Sequence, residues 1–172
     1  MDHKPSIRIR EARVADIAMI VAVHVSSWNA TYPNYHPKPT PQLRTAQWEQ
    51  MFKKKGDWFC IVAENENAEV IAFASADRFH DPALPYAGEL CKIHMYREYH
   101  RQGIGSRLVH AVAKRLMENG VASMVLFADP ENPNIQFYER LGGQRIPDEK
   151  GHFNGAYGWN DLSQLVNRNL TQ

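Results

Sequence analysis

Six consecutive residues, Arg101-Gln102-Gly103-Ile104-Gly105-Ser106, lie between a strand-like run and a run with helical spacing, a placement suited to holding phosphate. At a helix start the first amides have no internal acceptor, and the helix dipole adds partial positive charge at the same point. Gly103 and Gly105 keep side chains out of a ligand's path, and Arg101 supplies a formal cation. A pyrophosphate fits such a cradle. A tight strand-to-helix turn that needs glycine for backbone reasons alone would carry the same Gly-x-Gly pair.

The surroundings of the pair remove its main rivals. A nucleotide-hydrolase phosphate loop ends in Gly-Lys-Ser/Thr, which is absent here. A dinucleotide fold wants a third glycine three residues after the second, where this chain has Leu108. The eight histidines are scattered, with no His-x-x-x-His or His-Glu-x-x-His pair, so no metal is expected. Cys60 and Cys91 stand in apolar runs without the spacing of a zinc site or a disulfide framework, and read as small buried hydrophobes.

With its neighbours included, His100-Arg101-Gln102-Gly103-Ile104-Gly105 resembles the Gln/Arg-x-x-Gly-x-Gly/Ala signature of the GNAT superfamily of N-acetyltransferases, with His100 in place of the first Gln or Arg. Asn132 to Gly143, with Phe137-Tyr138-Glu139-Arg140 inside it, is similar to the family's Asn...Phe-Tyr-Glu-Lys/Arg-x-Gly segment. Ala156-Tyr157-Gly158-Trp159 resembles the closing strand of many bacterial members. Together the three matches cover roughly residues 86–160, in the family's order.

The resemblance implies direct transfer of an acetyl group from acetyl-coenzyme A to a primary amine. Pantetheine would pair with Ile93, His94 and Met95 as an added strand does. The Met95 amide would polarise the thioester carbonyl, and residues 101–106 would take the phosphates. Glu89, six residues before Met95, stands where several relatives keep a general base; a solvated strand-end charge is the competing reading. Tyr138 stands where the family places the acid that protonates the departing thiolate, against simple aromatic packing. Asn132 would bond the pantetheine arm or cap a helix. Trp28, Tyr32 and Tyr35, with His36, would border the acceptor pocket or pack as core or lid. An acyl-enzyme on Cys91, beside Lys92, is the weaker route. A small-molecule amine leads as acceptor. A protein or peptide amine would call for a wide open groove, and a silent acyl-coenzyme A binding module would show uptake without turnover.

These residues need a frame. Ile7–Arg10 alternates as a short strand, and apolar residues from Val14 to Trp28 recur at helical spacing, with Asp16 in the first turn. A proline-rich loop spans Tyr32–Pro41, and a second helix is expected over Gln42–Lys54. Trp58–Ala63 and Val70–Ala76 read as antiparallel strands about the Asn65–Asn67 turn, and Glu89–Met95 as the next strand. A helix then runs to an Asn119-Gly120 cap, followed by a strand over Val121–Phe127, a short helix over Asn132–Leu141 and a last strand over Gly151–Trp159. The alternation gives an α/β (α+β) class. The resemblance makes it a mixed, mostly antiparallel central sheet with helices on both faces, as one domain over residues 1–172.

Bulk properties agree. A chain of 172 residues, 44% hydrophobic and 23% charged, suits one packed domain. A net charge of +1 provides no field for nucleic acid or an anionic membrane. No apolar stretch is long enough to span a bilayer and Met1–Arg10 lacks a signal-peptide core, so a cytoplasmic location is the default expectation. The resemblance also allows a homodimer.

Overall fold

In a computed structural model, residues 6–167 are described. Seven strands form one sheet: β1 (Arg8–Glu11), β2 (Phe59–Glu64), β3 (Val70–Arg78), β4 (Gly88–Met95), β5 (Met124–Phe127), β6 (Gln144–Pro147) and β7 (Phe153–Trp159). Their spatial order is β1-β2-β3-β4-β5-β7-β6, with every pair antiparallel except β4 and β5. The helices are α1 (Ile17–Thr31), α2 (Pro41–Lys53), α3 (Ile104–Glu118), α4 (Gln136–Arg140) and α5 (Leu162–Val166). Among the described residues no helix is long and apolar enough to cross a membrane.

Both faces of the sheet are covered, which is why β2 and most of β3 are buried throughout and read as continuous apolar runs. The period of two sorts the side chains. Cys60 and Val62 join Phe73 under α1 and α2, with Ile20, Val23 and Trp48. Ile61 and Ala63 join Ala72 and Ala74 against α3, with Ile104, Leu108, Val112 and Leu116, and α5 adds Leu162 and Leu165. An ion cluster ties β1 to both layers. Arg10 reaches Asp16 at 2.8 and 2.9 Å and Glu64 at 2.7 Å, and Asp16 also accepts from the Arg13 amide at 2.7 Å. Hydrogen bonding from Arg10 holds the buried Asp16 below the usual carboxylate range. Asp16 thus serves as an internal ion partner as well as a first-turn anion.

The expected elements are present with shifted ends. The strand expected from Val121 begins at Met124, and of the helix expected over Asn132–Leu141 only Gln136–Arg140 is helical, because Asn132 closes a turn by accepting from the Asn134 amide at 2.9 Å. Two elements were not foreseen. The edge strand β6, Gln-Arg-Ile-Pro, is nearly all exposed and carries no apolar alternation; α5 has five residues, too few to display a period, although Asp161 caps it through the Ser163 amide.

Candidate active site

The site begins where two neighbouring strands part. β4 and β5 pair only at Gly88 with Met124 and Glu89 with Val125; beyond that point they separate. The gap leads into a cavity of about 830 Å³, walled by Leu90–Met95 of β4, by Leu126–Ala128 at the end of β5, by the start of α3 and by the C-terminal half of α1. β4 therefore presents backbone that β5 leaves unpaired, the condition for an extended ligand to add as a strand.

At one end lies the glycine turn. Gly103 caps α3 at φ +77°, and Arg101 is also left-handed at φ +59°, so successive amides turn toward one concave side. The Gly103, Ile104, Gly105 and Ser106 amides have no acceptor among the described residues, whereas Arg107 N begins the helix by donating to Gly103 O at 3.1 Å. Nothing lies within 4 Å of where a Cβ on Gly103 would stand, so the space above the turn is open; a Cβ on Gly105 would meet the Phe137 ring at 3.1 Å. Four free amides with Arg101 beside them fit the pyrophosphate of coenzyme A.

Tyr138 lies on the same wall. Its ring packs on Phe137 and Tyr157 at centroid distances of 5.3 and 5.6 Å, and its hydroxyl makes no hydrogen bond among the described residues. Burial pushes its pKa up to about 12, which keeps the proton in place. Asn132 and Tyr32 meet across the cavity, where burial and Asp129 raise the Tyr32 phenol and a bond with Asn132 opposes them.

The other end is aromatic and basic. Trp28 lies near Tyr32 at 4.8 Å and Tyr35 at 5.6 Å, bringing together three of the four expected acceptor-pocket residues. Beneath them two histidines that sequence reasoning gave no side-chain role face each other. His24 and His94 have ring centroids 4.5 Å apart; His24 Nδ1 accepts from Trp48 Nε1 at 3.1 Å, and His94 Nδ1 lies 3.1 Å from Ser27 Oγ. Burial, with nearby positive charge, pushes His94 down to about 4 and His24 to about 2, so both are neutral at pH 7. Arg44 and Lys92 complete this end; sequence reasoning named Lys92 only as the neighbour of Cys91 and did not name Arg44. His24 lies four residues before Trp28 on one helix face, a signal that could have found it; nothing marked Arg44.

Three expected residues are not on the wall, and His36, beyond Tyr35 in the proline-rich loop, is one of them. Gln102 turns back to donate to Glu98 O at 3.0 Å. Glu89 sits at the last paired position of β4, opposite Asp77, and burial raises its pKa. It precedes the point where β4 and β5 part, and a bulge separates it from Lys92–Met95 on the cavity wall. Ser75 pairs with Lys92 and Ala76 with Leu90, leaving Cys91 as an extra residue, so the alternation counted back from Met95 breaks before it reaches Glu89. Cys91 does line the cavity, but burial pushes its thiol up to about 12, far from a reactive thiolate.

The model of the Acetyltransferase (GNAT) family matches residues 22–143, which include the glycine turn, both histidines and Tyr138. The chain belongs to the GNAT acetyltransferase family. It is an acyltransferase with acetyl-coenzyme A as co-substrate. It is 32% identical over 166 residues, 92% of its length and 96% of the relative's, to the uncharacterized N-acetyltransferase YuaI of Bacillus subtilis (strain 168). Its GNAT fold superposes with TM-score 0.70 on the PaiA N-acetyltransferase of Thermoplasma acidophilum in complex with coenzyme A, at 18% identity over 89% of this chain and 98% of that one. A phosphinothricin acetyltransferase of Sinorhizobium meliloti, in complex with acetyl-coenzyme A, superposes with TM-score 0.67 at 20% identity over 88% and 85% of the two chains.

Proposed function

We propose that this GNAT protein acetylates the primary amine of a small molecule by direct transfer from acetyl-coenzyme A. The observation that carries the reading is the continuity of one cavity. It runs from the free amides of the glycine turn, past the open edge of β4, to an aromatic end lined by Trp28, Tyr32 and Tyr35. A protein or peptide acceptor calls for a long open groove, whereas the acceptor end here is lined by aromatic side chains of the C-terminal turn of α1 and the chain that follows it.

In this reading the donor's phosphates rest on residues 103–106 beside Arg101, its pantetheine pairs along Ile93–Met95, and the Met95 amide stabilises the oxyanion formed on attack. Tyr138 gives its proton to the leaving thiolate; a phenol kept protonated by burial and without a competing partner suits that task. His94 takes the base role expected of Glu89. It lies on the wall, is neutral, and has Nδ1 engaged with Ser27 while Nε2 has no protein partner among the described residues. Its weak basicity suffices because the nitrogen becomes far more acidic once bonded to the carbonyl carbon.

Calorimetric titration of acetyl-coenzyme A into the native chain and into Gly103→Asp tests the reading. The variant places a carboxylate above the amides, so binding should be lost while the fold, checked by circular dichroism, stays. Absence of binding to the native protein, or release of free thiol with no amine in a broad screen, would sink it.

A further inference from the structure

The cavity carries more positive charge than acetyl-coenzyme A accounts for. Four arginine and lysine side chains line it, with Asp129 as the one carboxylate among the lining residues. Arg101 stands at the glycine-turn end, where the phosphates go. Arg44 and Lys92 stand at the acceptor end beside His24, and the thioester arm that passes there is uncharged.

Arg44 is held in a costly place. It lies in the first turns of α2, where the helix dipole disfavours a cation, and desolvation lowers its pKa. Its guanidinium sits over the Trp28 ring at 5.3 Å, and Nη1 donates to Gln47 Oε1 at 2.8 Å. Among the described residues its buried Nε has no hydrogen-bond partner and no carboxylate lies within 4 Å of the group. Among the described residues Lys92 makes no ion pair or hydrogen bond either; it acts on the carboxyl of Glu89 through space. Lys92 and His94 share one face of β4, two residues or about 7 Å apart.

On the transferase reading above, we propose that Arg44 and Lys92 form an anion anchor and that the acceptor is an amine bearing a carboxylate, an α-amino acid. The anchor holds the carboxylate on the unpartnered side of Arg44 and sets the amine beside His94. The same positive field lowers the amine's pKa, which favours the attacking free base, and it repels acceptors with a second ammonium. A place for the rest of the molecule is present. His24, Arg44 and Lys92 also line a second cavity of about 520 Å³ whose other walls include Leu43, Trp48, Met51 and Trp58, so a carboxylate held at the junction directs an apolar side chain there.

The test compares L-leucine, L-leucinamide, isoamylamine and putrescine as acceptors, at matched concentrations of free amine because their amine pKa values differ. Leucine should exceed leucinamide and isoamylamine in kcat/KM by roughly 10- to 100-fold, the worth of a charge-assisted hydrogen bond, and putrescine should be poorest. Arg44→Gln should bring the leucine-to-leucinamide ratio near one, and Arg44→Lys, which keeps the charge and loses the planar fork, should restore part of it. A second readout needs no turnover: N-acetylleucine should bind the protein–coenzyme A complex more tightly than N-acetylleucinamide, and Arg44→Gln should erase the difference. Equal binding of acid and amide to the native complex, or neutral amines preferred as acceptors, overturns the anchor while leaving the acetyltransferase intact. Failure of the transferase reading would show separately, as acetyl-coenzyme A that does not bind.

Discussion

Acidification should weaken this fold well above the pH at which its carboxylates protonate, because two imidazoles are buried in the neutral form. His24 and His94 fall to about 2 and about 4 in the native state, against an ordinary 6.5. Between pH 6.5 and 4 the unfolded chain therefore binds protons that the native chain refuses. Stability is complete above pH 6.5 and declines as pH falls through that window. At pH 5 the linkage costs about 2 kcal/mol for each histidine, about 4 kcal/mol for the pair, which is roughly 8–16 °C in Tm for a domain of this size. The structure supplies the mechanism: protonating His24 at Nδ1 removes the acceptor of the Trp48 indole, and a charge on either ring opposes one on the other 4.5 Å away. Asp16 does not blur the window, because its pKa is depressed and its contribution is lost only at lower pH. Glu89 acts in the opposite sense, since its raised pKa lets the native state take up a proton first.

Urea unfolding followed by tryptophan fluorescence at pH 8, 7, 6, 5.5 and 5 measures the effect. The native chain should lose about 4 kcal/mol from pH 8 to 5, and His94→Gln about half of that. Glu89→Gln, which removes the opposing contribution, should lose more than the native chain. A native profile flat to within about 0.5 kcal/mol over that range, or an unchanged slope in His94→Gln, would show that these rings are not held neutral by burial.

Tyr138→Phe should lower kcat by about 10²-fold with little change in the KM for acetyl-coenzyme A, as expected for an acid acting at the chemical step; steady-state kinetics with thiol detection decides, and unchanged kcat removes Tyr138 from the mechanism. Asp16→Ala leaves Arg10 with Glu64 alone inside the β1–α1 corner and should cost about 3 kcal/mol in urea unfolding; a cost under about 1 kcal/mol would mean the cluster is solvated. Cys91→Ser should leave acetyl transfer in place, because a thiol pushed up to about 12 supplies no thiolate at neutral pH, and abolished turnover would reopen an acyl-enzyme route.

The two ends of the cavity differ in how far sequence could reach them, and the difference is physical. The glycine turn is local: its amides, its missing side chains and the helix that begins at Ile104 lie within six residues, so spacing and chemistry coincide in the chain. Tyr138 was reached through the family's pattern, and its burial and free hydroxyl are consistent with the role. The acceptor end is assembled from parts that spacing does not connect. His24 meets His94 across 70 positions, and Arg44 reaches the site only because α2 packs beside α1. Glu89 shows a third kind of limit, since its six-residue interval from Met95 is the family's, yet the extra residue at Cys91 changes the parity of β4. Leu90, Ile93 and Met95 then share the α3 face, while Lys92 and His94 turn toward α1. A bulge adds no unusual residue to the chain and is set by pairing with β3. Glu89 stays off the wall because it lies in the stretch of β4 still paired to β5, whereas Lys92 and His94 lie beyond the point where the strands part, and Lys92 brings part of the charge from which the acceptor's own chemistry is inferred.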